Sequence, residues 1–88
     1  MDNLKSMYQP PHPGEFIREV YLADSDLQPT EIARDLDISV DFFQKVLEGI
    51  RPVDKPLAIA LSRVFGRSVE SWLALQSAYD SWQQQSQR

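Results

Sequence analysis

The sequence predicts an all-α domain: a bundle of five helices folded around a helix-turn-helix. Three observations predict it. Apolar residues recur three and four apart through most of the chain, as they do on one face of a helix. Prolines and glycines fall where helices would start and stop, not within them. No segment alternates apolar and polar residues well enough to read as a strand.

Residues 1–12 contain Pro10 and Pro11 and little periodicity, and read as a flexible N-terminal arm that a partner could order. Pro13 opens a first helix running to about Leu22, with Phe16, Ile17 and Val20 inward, Tyr21 beside them, and Glu15 and Glu19 facing water. The polar stretch 23–28, ADSDLQ, is a loop from which Leu27 plugs the core. The central unit runs from Leu27 to Arg51, LQPTEIARDLDISVDFFQKVLEGIR. Its first helix has Pro29 in its first turn and Ile32, Ala33 and Leu36 on one face. Small Ala33 lets the next helix approach closely. Asp37-Ile38-Ser39 is too short to be anything but a turn. Ser39 then caps a second helix, whose buried face is Phe42, Phe43, Val46 and Leu47. Gly49 closes that helix in the left-handed conformation. Arg51 to Asp54 is a connector, and Asp54 caps a fourth helix over 55–65 with Pro56 in its first turn. Leu57, Ala60, Leu61 and Val64 line one face, with Phe65 adjacent, and Gly66 ends the helix. Ser68 caps a fifth helix from Val69 to about Gln84. On it Trp72, Leu75, Tyr79 and Trp82 form one stripe, flanked by Leu73 and Gln76. The predicted domain is therefore 13–84, with residues 85–88 as a frayed tail.

Composition narrows the function. Eighty-eight residues make one small domain with a limited core, which dimerisation or a partner would help to stabilise. The absence of cysteine excludes disulfides, thiolate metal sites and cysteine catalysis. The lone histidine, His12, makes no metal site by itself and reads as a turn residue before Pro13, so neither metal nor cofactor is expected. The carboxylate pairs Asp24/Asp26 and Asp35/Asp37 lie in polar stretches and read as solvation and capping. With no glycine-rich phosphate loop and no nucleophile motif, an enzyme is not expected. The apolar runs fall far short of the ~20 residues of a membrane span, and MDNLKSMYQPPHPG lacks the apolar core of a secretory signal. A soluble cytoplasmic protein is the expectation.

Within the central unit the second helix is the one that can enter a DNA major groove. Its exposed face is Val40, Asp41, Gln44, Lys45 and Glu48. Gln44 can bind adenine through two hydrogen bonds, and Lys45 can reach guanine or a phosphate. Asp41 can accept from a cytosine amino group or simply repel phosphate. Thr30, Arg34 and Arg51 are candidates for phosphate contacts. Thr30 lies near a helix N-terminus, where backbone N–H groups also attract phosphate. Arg34 is equally placed to pair with Asp37 or Glu31. Charge weighs on the other side. The chain carries a net charge of −4, and residues 28–51 hold three cations against five acids. An indiscriminate nucleic-acid binder is usually basic, so a solvated helix face of mixed charge is the plain alternative. The stripe Trp72, Leu75, Tyr79 and Trp82 reads as core or as a dimer or partner surface, because Trp82 lies too near the end of the chain to be covered by its own domain.

Several stretches together resemble the HigA-type antitoxins, members of the Xre helix-turn-helix class to which the lambda repressor belongs. They are His12-Pro13-Gly14-Glu15; Ile32-Ala33…Leu36…Ile38-Ser39; Leu47…Gly49…Arg51; Ala58…Leu61…Val64-Phe65-Gly66; and Ser68-Val69-Glu70-Ser71-Trp72-Leu73-Ala74-Leu75-Gln76-Ser77-Ala78-Tyr79-Asp80. The resemblance covers roughly residues 10–82, and its most specific pieces are HPGE and FGRSVESWLALQSAYD. It implies a lambda-repressor-like, all-helical, homodimeric DNA-binding domain. Such a protein would bind operator DNA, repress its own operon and neutralise a ribosome-dependent, mRNA-cleaving toxin of the HigB type. In that family the positions matching Val40, Asp41, Gln44 and Lys45 face base edges. The reading helix departs from the family pattern: Glu48 stands where asparagine is common, Val40 and Asp41 where polar or basic residues are common, and Ile50 where lysine or arginine is common. Glu15 and Glu19, beside the arm, are the acids expected to face a basic toxin. The competing expectation is a protein-interaction module of the same fold, or a stand-alone regulator without a toxin.

Overall fold

The computed structural model describes residues 9–86, and among these the only regular structure is helical. The first helix, α1 (Pro13–Ile17), runs without a break into a π-helical turn, Arg18–Leu22. It is followed by α2 (Pro29–Leu36), α3 (Val40–Leu47), α4 (Lys55–Phe65) and α5 (Val69–Ser86). Five helical segments thus stand where five were expected. The expectations for residues 1–8 of the arm and for 87–88 of the tail lie outside the described residues.

Short-range chemistry sets the helix ends. Ser39 Oγ accepts from the Phe42 N–H at 3.0 Å, Asp54 Oδ1 from the Leu57 N–H at 3.0 Å, and Ser68 Oγ from the Ser71 N–H at 3.1 Å. Each satisfies a backbone donor that a helix start leaves unpaired. The two helices of the central motif close in the same way. In α2, the Ile38 N–H bonds the Ala33 carbonyl and the Asp37 N–H the Arg34 carbonyl. In α3, the Ile50 N–H bonds the Lys45 carbonyl and the Gly49 N–H the Val46 carbonyl. Both are Schellman closures, which put one residue in the left-handed region. That residue is Gly49 (φ 79°) in α3 but Asp37 (φ 63°) in α2. Aspartate is among the few side chains that tolerate this conformation.

The core is assembled on the motif. Ile32, Ala33 and Leu36 of α2 and Phe43, Val46 and Leu47 of α3 meet Ile17, Val53, Leu57, Ala58, Leu61 and Trp72 in one buried cluster. The first helix crosses α3 so closely that a Cβ on Gly14 would come within 1.9 Å of the Val46 carbonyl oxygen. Glycine is required there for steric reasons, not for conformational freedom. An aromatic layer closes the other end. Tyr21 stacks on Phe65 with centroids 4.2 Å apart, and Phe16 meets Trp72 edge-on at 5.9 Å. The Arg67 guanidinium covers this layer, with Cζ 4.7 Å from the Phe16 ring centroid and 5.8 Å from that of Trp72.

Three expectations about burial need correction. Val20 does not face inward but is 55% exposed. The π turn takes an extra residue per hydrogen-bonded loop, so a face read at α-helical spacing no longer holds across it, and Tyr21 and Leu22 pack inward in its place. Leu27 does not plug the core; it is 46% exposed. It lies in an irregular loop, where periodicity gives no direction to a side chain. Trp72 is wholly enclosed and so cannot belong to a partner surface. The early turns of α5 pack on the bundle, and only Leu75, Tyr79 and Trp82 of the stripe remain partly exposed. The helix itself continues to Ser86, past the expected end near Gln84.

Candidate nucleic-acid interface

The two faces of α3 have separate environments. Phe43, Val46 and Leu47 are enclosed, while Val40, Asp41, Gln44, Lys45 and Glu48 are all exposed on the opposite side. The exposed side chains pair with one another one turn apart. Lys45 Nζ lies 3.1 Å from Asp41 Oδ2, the one ion pair among the described residues, and Gln44 Nε2 donates to Glu48 Oε2 at 3.1 Å. A solvent-exposed pair at this spacing contributes only about 0.3–0.5 kcal/mol. Such pairing leaves Gln44 and Lys45 free to exchange an acid for a stronger partner.

Beside the start of α3, an open cleft of about 410 Å³ runs between the motif helices. Thr30, Arg34 and Val40 line it, together with Ala33, Asp37, Ile38 and Ser39. Thr30 sits in the first turn of α2, where Pro29 has no N–H and the Glu31 and Ile32 N–H groups both bond the Gln28 carbonyl. Arg34 is exposed and makes no ion pair with Glu31 or Asp37 among the described residues. Arg51 lies beyond the other end of α3. Its N–H bonds the Lys45 carbonyl at 3.2 Å, and its guanidinium lies 5.1 Å from the Phe42 ring centroid. The eight residues expected to meet DNA thus fall into a cleft group (Thr30, Arg34, Val40), two paired sets on the helix face (Asp41/Lys45 and Gln44/Glu48) and Arg51 on its aromatic support.

Two buried polar residues brace this region, and sequence reasoning missed both. His12 is only 5% exposed. Its Nδ1 accepts from the Gly14 N–H at 2.9 Å, which makes it the N-cap of α1. A side-chain acceptor directly before a proline at the first helical position was the available signal. The Tyr79 ring meets the imidazole edge-on, centroids 5.0 Å apart at 83°. Burial lowers the His12 pKa below its ordinary value, against weaker upward pulls from Asp80 and from a backbone hydrogen bond at Arg51. Gln76, expected only to flank the aromatic stripe, is 7% exposed. Its Oε1 accepts from the Val53 N–H at 2.7 Å, and its Nε2 donates to Asp80 Oδ1 at 3.0 Å. A residue of α5 therefore satisfies the backbone of the connector that follows α3.

No family model matches the chain. Virulence-associated protein I of Dichelobacter nodosus is 36% identical over 69 residues, 78% of this chain, and the chain spans 64% of that relative's length. An addiction module antidote protein of the HigA family from Coxiella burnetii is similar in structure. Its TM-score is 0.80 at 32% identity, over 86% of this chain and 83% of that one. The Pseudomonas aeruginosa antitoxin HigA, solved with the higBA promoter, gives a TM-score of 0.76 at 35% identity, over 82% of this chain and 78% of that one. The chain belongs to the HigA-type antitoxins of the Xre helix-turn-helix class. In this HigA-type chain the residue at the asparagine-favoured position, Glu48, is the partner of Gln44. Ile50, where the family often has a cation, projects into solvent at 66% exposure. Among the described residues of this HigA-type fold, no three histidine, cysteine or acidic side chains lie close enough to hold a metal, and no helix is long and apolar enough to cross a membrane.

Proposed function

We propose that this chain is the antitoxin of a type II toxin–antitoxin pair, a cytoplasmic protein that binds operator DNA, represses its own operon and neutralises a HigB-type mRNA-cleaving toxin. The observation that carries the reading is the division of α3. One face is spent wholly on the core, and the other presents Val40, Asp41, Gln44, Lys45 and Glu48 to solvent. The solved relatives with operator or promoter DNA support it. Thr30, Arg34 and Arg51 contact phosphates and set the register, while Gln44 and Lys45 read base edges. A two-fold dimer presents two reading helices to half-sites about one helical turn, ~34 Å, apart. Leu75, Tyr79 and Trp82 supply a surface for that dimer or for the toxin. Sedimentation showing only monomer at micromolar concentration would remove the two-fold arrangement.

The toxin is recognised by complementary charge. A nuclease acting on RNA carries a basic surface, and a chain with a net charge of −4 associates with it under electrostatic steering. Glu19 is exposed and Glu15 half-buried beside His12, in a cleft that Glu48 also lines. Toxin association should slow with added salt and with Glu15→Gln/Glu19→Gln, and salt-independent rates would dismiss steering through this face.

A second reading, an interaction module that does not bind DNA, is favoured by one observation. Both donors of the reading face are engaged by acids of the same helix. A gel shift with the DNA upstream of the gene separates the two. A discrete, salt-sensitive complex supports the operator reading. No complex with that DNA, from a protein that still arrests the neighbouring toxin, supports the second.

A further inference from the structure

We propose that His12 is a positioning residue for DNA binding, acting through the loop Gly49–Arg51; the proposal rests on the operator reading above. The ring has one nitrogen committed to α1. Because Nδ1 accepts from the Gly14 N–H, the imidazole is neutral with its proton on Nε2. The ring lies close enough to the Arg51 backbone for it to pull the pKa upward against burial. The ring also backs Gly49: a Cβ built there would meet His12 Cγ at 3.7 Å. Tyr79 holds it from α5. His12 therefore joins three elements at one point, the start of α1, the end of the reading helix and the middle of α5.

The consequence falls on Arg51. Its N–H is held by the Lys45 carbonyl, its guanidinium by the face of Phe42, and the turn that leads to it, at Gly49, is backed by the His12 ring. A long cationic side chain on a backbone held in place gives up less freedom when it meets a phosphate than one on a loose loop. Without His12, the loop keeps its Schellman closure to α3 but has no anchor on the other side. Arg51 then drifts away from the phosphate and the contact is lost.

The test measures operator affinity against salt for the full chain, using the duplex upstream of the gene, with thermal melting alongside. His12→Asn keeps a capping oxygen for α1 but lacks the ring that backs Gly49. His12→Ser does the same with a different cap, and it decides the matter if the asparagine variant melts below the assay temperature. Both should bind about fivefold more weakly, the scale of ordering one long side chain. Both should also lower the slope of log affinity against log salt by about one, as Arg51→Ala does. His12→Asn/Arg51→Ala should bind no more weakly than Arg51→Ala. A structural role alone would lower the folded fraction equally at every salt concentration and leave the slope unchanged. Folded His12 variants with the parental affinity and slope would overturn the proposal while leaving the operator reading intact. A parent that forms no complex with the duplex would overturn both.

Discussion

The inner and outer faces of α3 belong to one eight-residue helix, yet they obey different rules. On the inner face nothing can change without moving something else. Phe43 and Val46 are wholly enclosed, and the Val46 carbonyl sits where any Cβ on Gly14 would have to go. On the outer face Asp41 pairs with Lys45 and Gln44 with Glu48 in exposed positions one turn apart, so these side chains can change at little cost to the fold. The comparison teaches that stability is kept on one face and leaves the other free for the proposed recognition. Substitutions should divide the same way, those inside changing the melting temperature and those outside changing only what is bound.

The largest expected effect comes from emptying the inner face. Phe43→Ala should destabilise the domain by roughly 3–5 kcal/mol, read as the shift in a urea unfolding curve. Next comes filling it. Gly14→Ala forces backbone against backbone and should cost about 3 kcal/mol. If this variant melted like the parent, the close crossing of α1 over α3 would be wrong. The outer face should behave in the opposite way. Gln44→Ala and Lys45→Ala should leave circular dichroism and melting unchanged while each weakens specific DNA binding by roughly 1–3 kcal/mol, the worth of a good hydrogen-bonded match to a base edge. Unchanged operator affinity in both would strike the reading helix from the proposal.

The smallest expected effect is a pH dependence at the edge of the inner face. His12 sits among Glu15, Arg18, Glu48 and Tyr79, with Asp80 also acting on it, and burial holds its folded-state pKa below the ordinary value of 6.5. The unfolded chain therefore takes up the proton first as pH falls. The stability His12 contributes is full above about pH 6.5 and is lost as pH drops from there toward the lower folded-state value. Melting temperatures at pH 7.5 and 5.5 should differ more for the parent than for His12→Asn. An identical difference in the two would deny His12 any part in the pH response.

Much of the fold is legible in the sequence because its signals are local. Ser39, Asp54 and Ser68 announce helix starts through oxygens that need only the next turn to bond. Gly49 and Gly66 announce ends because their left-handed φ penalises a Cβ. The exposed set on α3 follows from helical spacing once the inward set is known. What escapes depends on distant partners or on departures from a regular period. Asp37 takes the role a glycine usually fills. The π turn has no side-chain signature, so regular spacing points Val20 inward where that spacing does not apply. His12 and Gln76 are polar, and their burial makes sense only once Tyr79 and the Val53 N–H, far along the chain, come to meet them.

The placement of the two tryptophans has an optical consequence. Trp72 lies within the aromatic layer under Arg67, shielded from water, whereas Trp82 is half-exposed on the late turns of α5, near Tyr79 at 6.0 Å. Indole emission moves to longer wavelength as water reaches the ring, so the native spectrum should be the sum of a blue component from Trp72 and a redder one from Trp82. Trp72→Phe would leave a single indole, on the surface proposed for a partner. A blue shift of that remaining band on adding toxin, or on raising the protein concentration, would report directly which of the two covers the end of α5.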